Sequence, residues 1–127
     1  MTNLIKIVFA IFLSIICGTT FSQNWTATES SPNGARAKAE TTMLNDGRII
    51  VTGGTINTIA TEITEIYDPI VDTWTRVADL PAPVVYHESV CVSDSTILLL
   101  GGKIGEETTA NVWEYNINTD TNAIGLN

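Results

Sequence analysis

An all-β fold built from two tandem four-stranded sheet modules is predicted for this chain by three observations. The sequence repeats itself at an offset of 48 residues. Short β-branched or apolar runs of strand length recur inside each copy. Turn chemistry separates those runs, in the form of Asp-Gly, Gly-Gly and Asp-Pro pairs. Sliding residues 36–79 onto 84–127 aligns Glu40/Glu88, Asp46/Asp94, Ile49/Ile97, Gly53/Gly101, Gly54/Gly102, Ile56/Ile104, Thr61/Thr109, Tyr67/Tyr115, Asp72/Asp120 and Thr73/Thr121 without a gap.

The first strand is expected over Glu40–Leu44 and ends at Asn45-Asp46-Gly47, a tight-turn signal because Asp and Gly tolerate positive φ. The second, Arg48–Thr52, is β-branched and continuously apolar at its centre, as suits a strand covered on both faces. Gly53-Gly54 closes it, and residues without Cβ permit close backbone approach. The third, Thr61–Tyr67, alternates Ile63 and Tyr67 with polar neighbours before a turn at Asp68-Pro69. The fourth is Trp74–Val77, closed by Leu80-Pro81, and as a buried aromatic Trp74 is expected to be worth about 3–5 kcal/mol against Ala. The second copy departs from the first. Asn122 stands where Trp74 did and Trp113 where Glu65 did, so the reading there stops at three strands, Glu88–Asn116. Upstream, Trp25-Thr26 with Pro32 has the spacing of Trp74-Thr75 with Pro81, which predicts a further strand around Trp25.

The order Asp-Gly-Arg, apolar strand, Gly-Gly, Tyr67-Asp68-Pro69 and Trp74 resembles a Kelch repeat, most nearly the kind found in galactose-oxidase-like propellers. The resemblance covers about residues 25–122 and implies one four-stranded propeller blade per repeat, over residues 36–83 and 84–127. Its structural signature here is Gly53, Gly54, Tyr67, Trp74, Gly101, Gly102 and Tyr115. Residues 23–35 then form an N-terminal strand and linker, a candidate closing strand. One strand around Trp25, four in the first copy and three in the second make two blades, an incomplete propeller. The chain thus reads as the N-terminal part of a longer propeller. The other reading has two-blade protomers closing a ring by exchanging the Trp25 strand. Either way, blade faces and open strand edges left uncovered at Ile49–Val51 and Ile97–Leu100 favour self-association.

Residues 1–22 read as a signal peptide: Lys6 precedes the apolar run Ile7–Cys17, and small or polar residues follow to Ser22. Eleven helical residues span about 16 Å, too short for a permanent membrane span. Lipid attachment at Cys17 is the rival reading, against which Ile16 counts, and an uncleaved anchor is another. Export to the periplasm, cell surface or medium follows. The net charge of −8, from 14 acidic and six basic residues, argues against nucleic acid and against a polybasic membrane surface. At 44% hydrophobic and 16% charged residues the composition is that of a folded domain.

Three residues are candidates for ligand contact at the rim that the resemblance implies. His87, the only histidine, precedes the first strand of the second copy, and Arg36 and Tyr86 lie in the connections before the first strands. For His87 the plainer reading is a histidine satisfied by backbone near a strand start; for Arg36 it is a solvated or structural arginine. Thr55–Ala60 and Lys103–Thr108 are read as rim loops, the second made acidic by Glu106-Glu107, which disfavours anionic sugars. Cys91 is expected to be a buried, unreactive thiol. Trp25, Trp74, Tyr67 and Tyr115 read as packing between blades. No metal is expected, since catalytic zinc usually needs three protein ligands, and no cofactor, since the glycine pairs lack the rest of a dinucleotide fingerprint. Galactose oxidase holds copper through Tyr and His ligands and a Tyr–Cys cross-link, a set that one His and one mature Cys cannot supply. The expected role is an exported scaffold that binds protein or carbohydrate. The alternative is the front part of a galactose-oxidase-like or sialate-mutarotase-like enzyme whose acting residues lie elsewhere.

Overall fold

A computed structural model describes residues 25–123, so the signal segment expected over residues 1–22 lies outside the described part. Twelve strands follow one another among the described residues: β1 (Glu40–Met43), β2 (Ile49–Thr52), β3 (Thr55–Ile56), β4 (Ile59–Ala60), β5 (Thr64–Asp68), β6 (Thr73–Arg76), β7 (Glu88–Ser93), β8 (Thr96–Leu100), β9 (Lys103–Ile104), β10 (Glu107–Thr108), β11 (Val112–Asn116) and β12 (Thr121–Ala123). They build two antiparallel four-stranded sheets, ordered β1-β2-β5-β6 and β7-β8-β11-β12, plus the small hairpins β3–β4 and β9–β10. The all-β expectation holds, and each repeat is one sheet.

The repeat extends to individual hydrogen bonds. Gly53 N–H donates to the Ile63 carbonyl at 3.0 Å, as Gly101 N–H does to that of Asn111 at 2.9 Å. The Tyr67 hydroxyl donates to Asp72 at 2.7 Å and the Tyr115 hydroxyl to Asp120 at 3.0 Å. Both aspartates adopt positive φ, 53° and 49°, a left-handed backbone that Asp tolerates better than most residues. Their side chains tie the β5–β6 and β11–β12 turns to the tyrosines, which explains an aspartate 5 residues after each tyrosine.

The sheets pack face to face. Ile50 and Ile66 of the first join Ile97, Leu99, Trp113 and Tyr115 of the second in one buried cluster. The connector after β6 completes it with Leu80 and Val84. At the sheets' inner edges Thr42 of β1 hydrogen-bonds Ser89 of β7. At the turns, Asn45 donates to Asp94 at 2.7 Å. Glycine is required at Gly54 and Gly102 because the strand-entry backbone runs so close. A Cβ on Gly54 would lie 2.7 Å from the Ala37 carbonyl oxygen, and one on Gly102 would lie 2.7 Å from that of Val85.

Three expectations are corrected. The second copy does have a fourth strand: β12 pairs with β11 and sets Asn122 opposite Tyr115, as Trp74 lies opposite Tyr67. The Asp120 turn and the backbone ladder suffice to place that strand without the tryptophan. Among the described residues no strand forms at Trp25 or directly after it, and Trp25 is fully exposed. The fourth-strand position, which the likeness of Trp25 to Trp74 would assign to that segment, is already filled by β6 in the first sheet and by β12 in the second. With β12 in place, exchange of the Trp25 strand has no vacant position to fill in the second sheet. Cys91, finally, is partly exposed rather than buried, because it lies on the edge strand β7 at a register shift before Ser93.

Trp74 also differs from expectation. It is half-buried on the outermost strand, with its ring centroid 5.0 Å from that of Tyr67 and its indole N–H donating to the Glu29 carbonyl at 2.9 Å. An aromatic pair and one hydrogen bond set the loss in Trp74→Ala at about 2 kcal/mol. Trp113, 7% exposed inside the cluster, should lose about 3–5 kcal/mol on Trp113→Ala. Urea denaturation of both variants checks this order, and a larger loss at Trp74 would contradict the packing described.

Candidate interaction surface

The rim residues derive their positions from the way each first strand is entered. Ala37 and Thr55 form an isolated antiparallel bridge, and Val85 and Lys103 form its counterpart one repeat later. Each bridge ties the strand-entry segment to a small hairpin. The segments read as loops at Thr55–Ala60 and Lys103–Thr108 are therefore hairpins, β3–β4 and β9–β10. Immediately after each bridge the chain must reverse, and the residues that do so are Lys38 and Tyr86, both at φ 58°. Such a backbone costs a residue with a Cβ of order 1–3 kcal/mol. Its use at both equivalent positions shows that it belongs to the repeat.

Lys38 and Tyr86 meet in space. The Lys38 ammonium lies 5.1 Å from the centre of the Tyr86 ring, within cation–π range. The Tyr86 N–H donates to the Lys38 carbonyl at 3.3 Å. Tyr86 is 59% exposed, so the pair stands open to solvent between the hairpins. Lys38 was not singled out from sequence, although its alignment with Tyr86 at the repeat offset was the available signal.

The other two rim candidates turn inward. His87 is 3% exposed and wedged between the sheets, with Nε2 in a 2.8 Å hydrogen bond with the Thr52 hydroxyl. Its partner is thus a side chain of the neighbouring sheet rather than backbone. Nδ1 has no hydrogen-bond partner. A Cβ on Gly53 would come within 3.1 Å of the His87 ring, a second reason for glycine there. Burial holds the imidazole pKa below its ordinary value of 6.5.

Arg36 is buried too, on the face of the first sheet directed away from the second. It pairs with Glu65 and donates to the Ile63 carbonyl at 2.8 Å. Glu65 is completely buried and also accepts from the Ser31 hydroxyl at 2.7 Å and the Asn33 amide at 2.6 Å. A carboxylate can be buried when its lone pairs are filled in this way. Burial, and after it the charge of Arg76, lowers the Arg36 pKa. Arg36 therefore fixes the segment Ser31–Arg36 to the first sheet and takes no part in the rim. Glu65 was legible only as a charge at the position where the other repeat has Trp113.

The two equivalent four-stranded sheets, each ended by Gly-Gly and tied by a Tyr–Asp bond, define a β-repeat protein of the blade-forming type. Residues 43–81 match the family model of the Kelch motif, so the first copy is a Kelch repeat. No curated protein matches the chain.

The buried histidine gives a pH signature. Unfolded His87 takes up a proton near pH 6.5, whereas the folded chain resists protonation until lower pH. The stability that depends on neutral His87 is complete above about pH 6.5 and is lost as pH falls below it. Urea midpoints measured from pH 7.5 to 5 should fall more steeply for the wild type than for His87→Gln; parallel curves would contradict a neutral buried imidazole.

Proposed function

We propose that the chain is an exported Kelch-repeat scaffold that binds a protein ligand at the rim built by Lys38, Tyr86 and the hairpins β3–β4 and β9–β10. The observation that carries this reading is the exposed Lys38–Tyr86 pair, held in a costly backbone conformation between two short hairpins. A cation over a solvent-facing aromatic ring offers charge and apolar area at one point, and tyrosine is among the residues that dominate binding energy at protein interfaces. The Kelch motif of residues 43–81 supports an interaction scaffold. Carbohydrate binding is the second reading, favoured by the open phenol ring of Tyr86, on which a sugar face can stack.

Affinity capture from the producing cells, with wild-type, Tyr86→Ala and Lys38→Glu baits, tests the rim. Proteins retained by the wild type should be lost with both variants and kept by Asp94→Ala, a change in an exposed turn at another edge of the sheets. Equal retention by all four baits would refute a rim site, and loss of binding to a glycan panel with Tyr86→Ala would favour the sugar reading. Export has its own measurement: intact mass of the mature product should correspond to a start at Gln23, and a product retaining Met1 would overturn the signal reading.

A further inference from the structure

Asn33 is the only asparagine of the chain that is followed by glycine. The pair occupies a tight turn, Ser31-Pro32-Asn33-Gly34, in which the Gly34 N–H donates to the Ser31 carbonyl at 3.2 Å. Gly34 is exposed and adopts a φ of 97°, a backbone that favours a residue without Cβ. The missing side chain has a chemical consequence as well as a conformational one. An asparagine amide can be attacked by the backbone nitrogen of the next residue, and glycine leaves that nitrogen unhindered and its peptide free to rotate.

The amide in question is also a structural part. Asn33 Nδ2 donates to Glu65 at 2.6 Å, beside the Ser31 hydroxyl at 2.7 Å and the Arg36 guanidinium, and these donors together allow the carboxylate to be buried. An ionised carboxylate only accepts, so Asn33 serves there as a donor and nothing else. One repeat later Pro81, Ala82 and Trp113 stand at the positions of Asn33, Gly34 and Glu65. Asparagine and carboxylate thus change together between the copies. The turn is held between fixed ends: the Glu29 N–H donates to Asp72 at 3.0 Å upstream, and Ala37 bridges Thr55 downstream. The turn can therefore lift from Glu65 without any change in the sheets.

We propose that Asn33-Gly34 is a self-modifying site, at which the Asn33 amide is converted to a carboxylate and the turn is thereby expelled from Glu65. The Gly34 nitrogen bonds to Asn33 Cγ, the Cγ–Nδ2 bond breaks, and Nδ2 leaves as ammonia with the proton from Gly34. Water then opens the five-membered imide at one carbonyl to give aspartate, or at the other to give isoaspartate. Water is the only co-reactant. In the closed turn both reacting groups are engaged, Nδ2 by Glu65 and the Gly34 N–H by Ser31, so the reaction belongs to the moments when the turn is open. Afterwards an acceptor stands where the donor stood, and two carboxylates face each other beside one guanidinium. The turn cannot close as before, and the process runs one way. It alters the cover of the first sheet and is independent of the rim and of any ligand there.

Peptide mass spectrometry on the mature chain, aged at mildly alkaline pH, tests the chemistry. Asn33 should be converted to aspartate and isoaspartate ahead of every other asparagine, and faster in urea than in the folded chain. Asn33→Asp, which carries the product from the start, should raise the unfolding constant in urea by about tenfold or more, since a hydrogen bond to a charged group is lost and like charges meet. Adding Glu65→Gln exchanges donor and acceptor, restores one amide and one carboxylate beside Arg36, and should recover most of that loss. The modified fraction of aged wild type, separated by charge, should show the same loss, so the result does not rest on a variant alone. An Asn33 still intact when other asparagines have reacted overturns the site, and equal rates with and without urea overturn its gating by the turn. Modified wild type or Asn33→Asp as stable as the unmodified chain, or no recovery with Glu65→Gln, overturns the expulsion.

Discussion

Everything else in this molecule depends on one sheet being covered by the next. A single four-stranded sheet of this kind has two faces and neither can be left wet, because the strands β2 and β8 are apolar on both sides. The cluster of Ile50 and Ile66 with Ile97, Leu99 and Trp113 solves the problem for one face of each sheet. The connector after β6 enters the same space with Leu80 and Val84, so loop and sheets share one core. The Gly-Gly pairs serve this packing directly, since a side chain at Gly53 would strike the next unit's Val84 carbonyl 2.6 Å away.

The remaining faces are treated in opposite ways, and the difference is one of charge. On the first sheet the segment Ser31–Arg36 lies over Glu65 and saturates it with a hydroxyl, an amide and a guanidinium. A buried ion pair of this sort adds little net stability over an apolar pair, since desolvation consumes most of the Coulomb gain. Removing one partner is expensive, however, so the pair fixes where the segment must lie. Among the described residues the second sheet has no such cover, and its Val90 and Leu100 remain accessible. An apolar sheet face of this kind is a recognised route to association.

Much of this fold was legible in the sequence because the repeat makes each element testable against its copy. Strand positions followed from Asp46-Gly47, Gly53-Gly54 and Asp68-Pro69, all of which act through local backbone chemistry. Two errors came from trusting one residue type. Trp74 is a mark of the fourth strand, but Asp120 and the ladder place β12 without it. Trp25 carries the same mark but its described surroundings form no strand, and the fourth-strand position is already taken by β6 in one sheet and β12 in the other. The site was less legible. Arg36, Tyr86 and His87 were close in register, yet whether a side chain points out or in depends on the strand reversal at Lys38 and Tyr86, which spacing alone does not reveal.

That reversal also explains why adjacent residues came to differ so sharply in role. The left-handed turn at Tyr86 projects its ring into solvent and sends the next residue, His87, between the sheets, where it meets Thr52. In the first copy the same turn exposes Lys38 and turns in Ala39, whose Cβ fits against Gly54. The inward position accepts a residue chosen for packing, and the outward position is free of that demand. Exchange of lysine for tyrosine between copies at the outward position therefore leaves the core untouched. A rim built this way can vary its chemistry without altering the sheets beneath it, which is the physical condition for a repeated fold to serve as a binding scaffold.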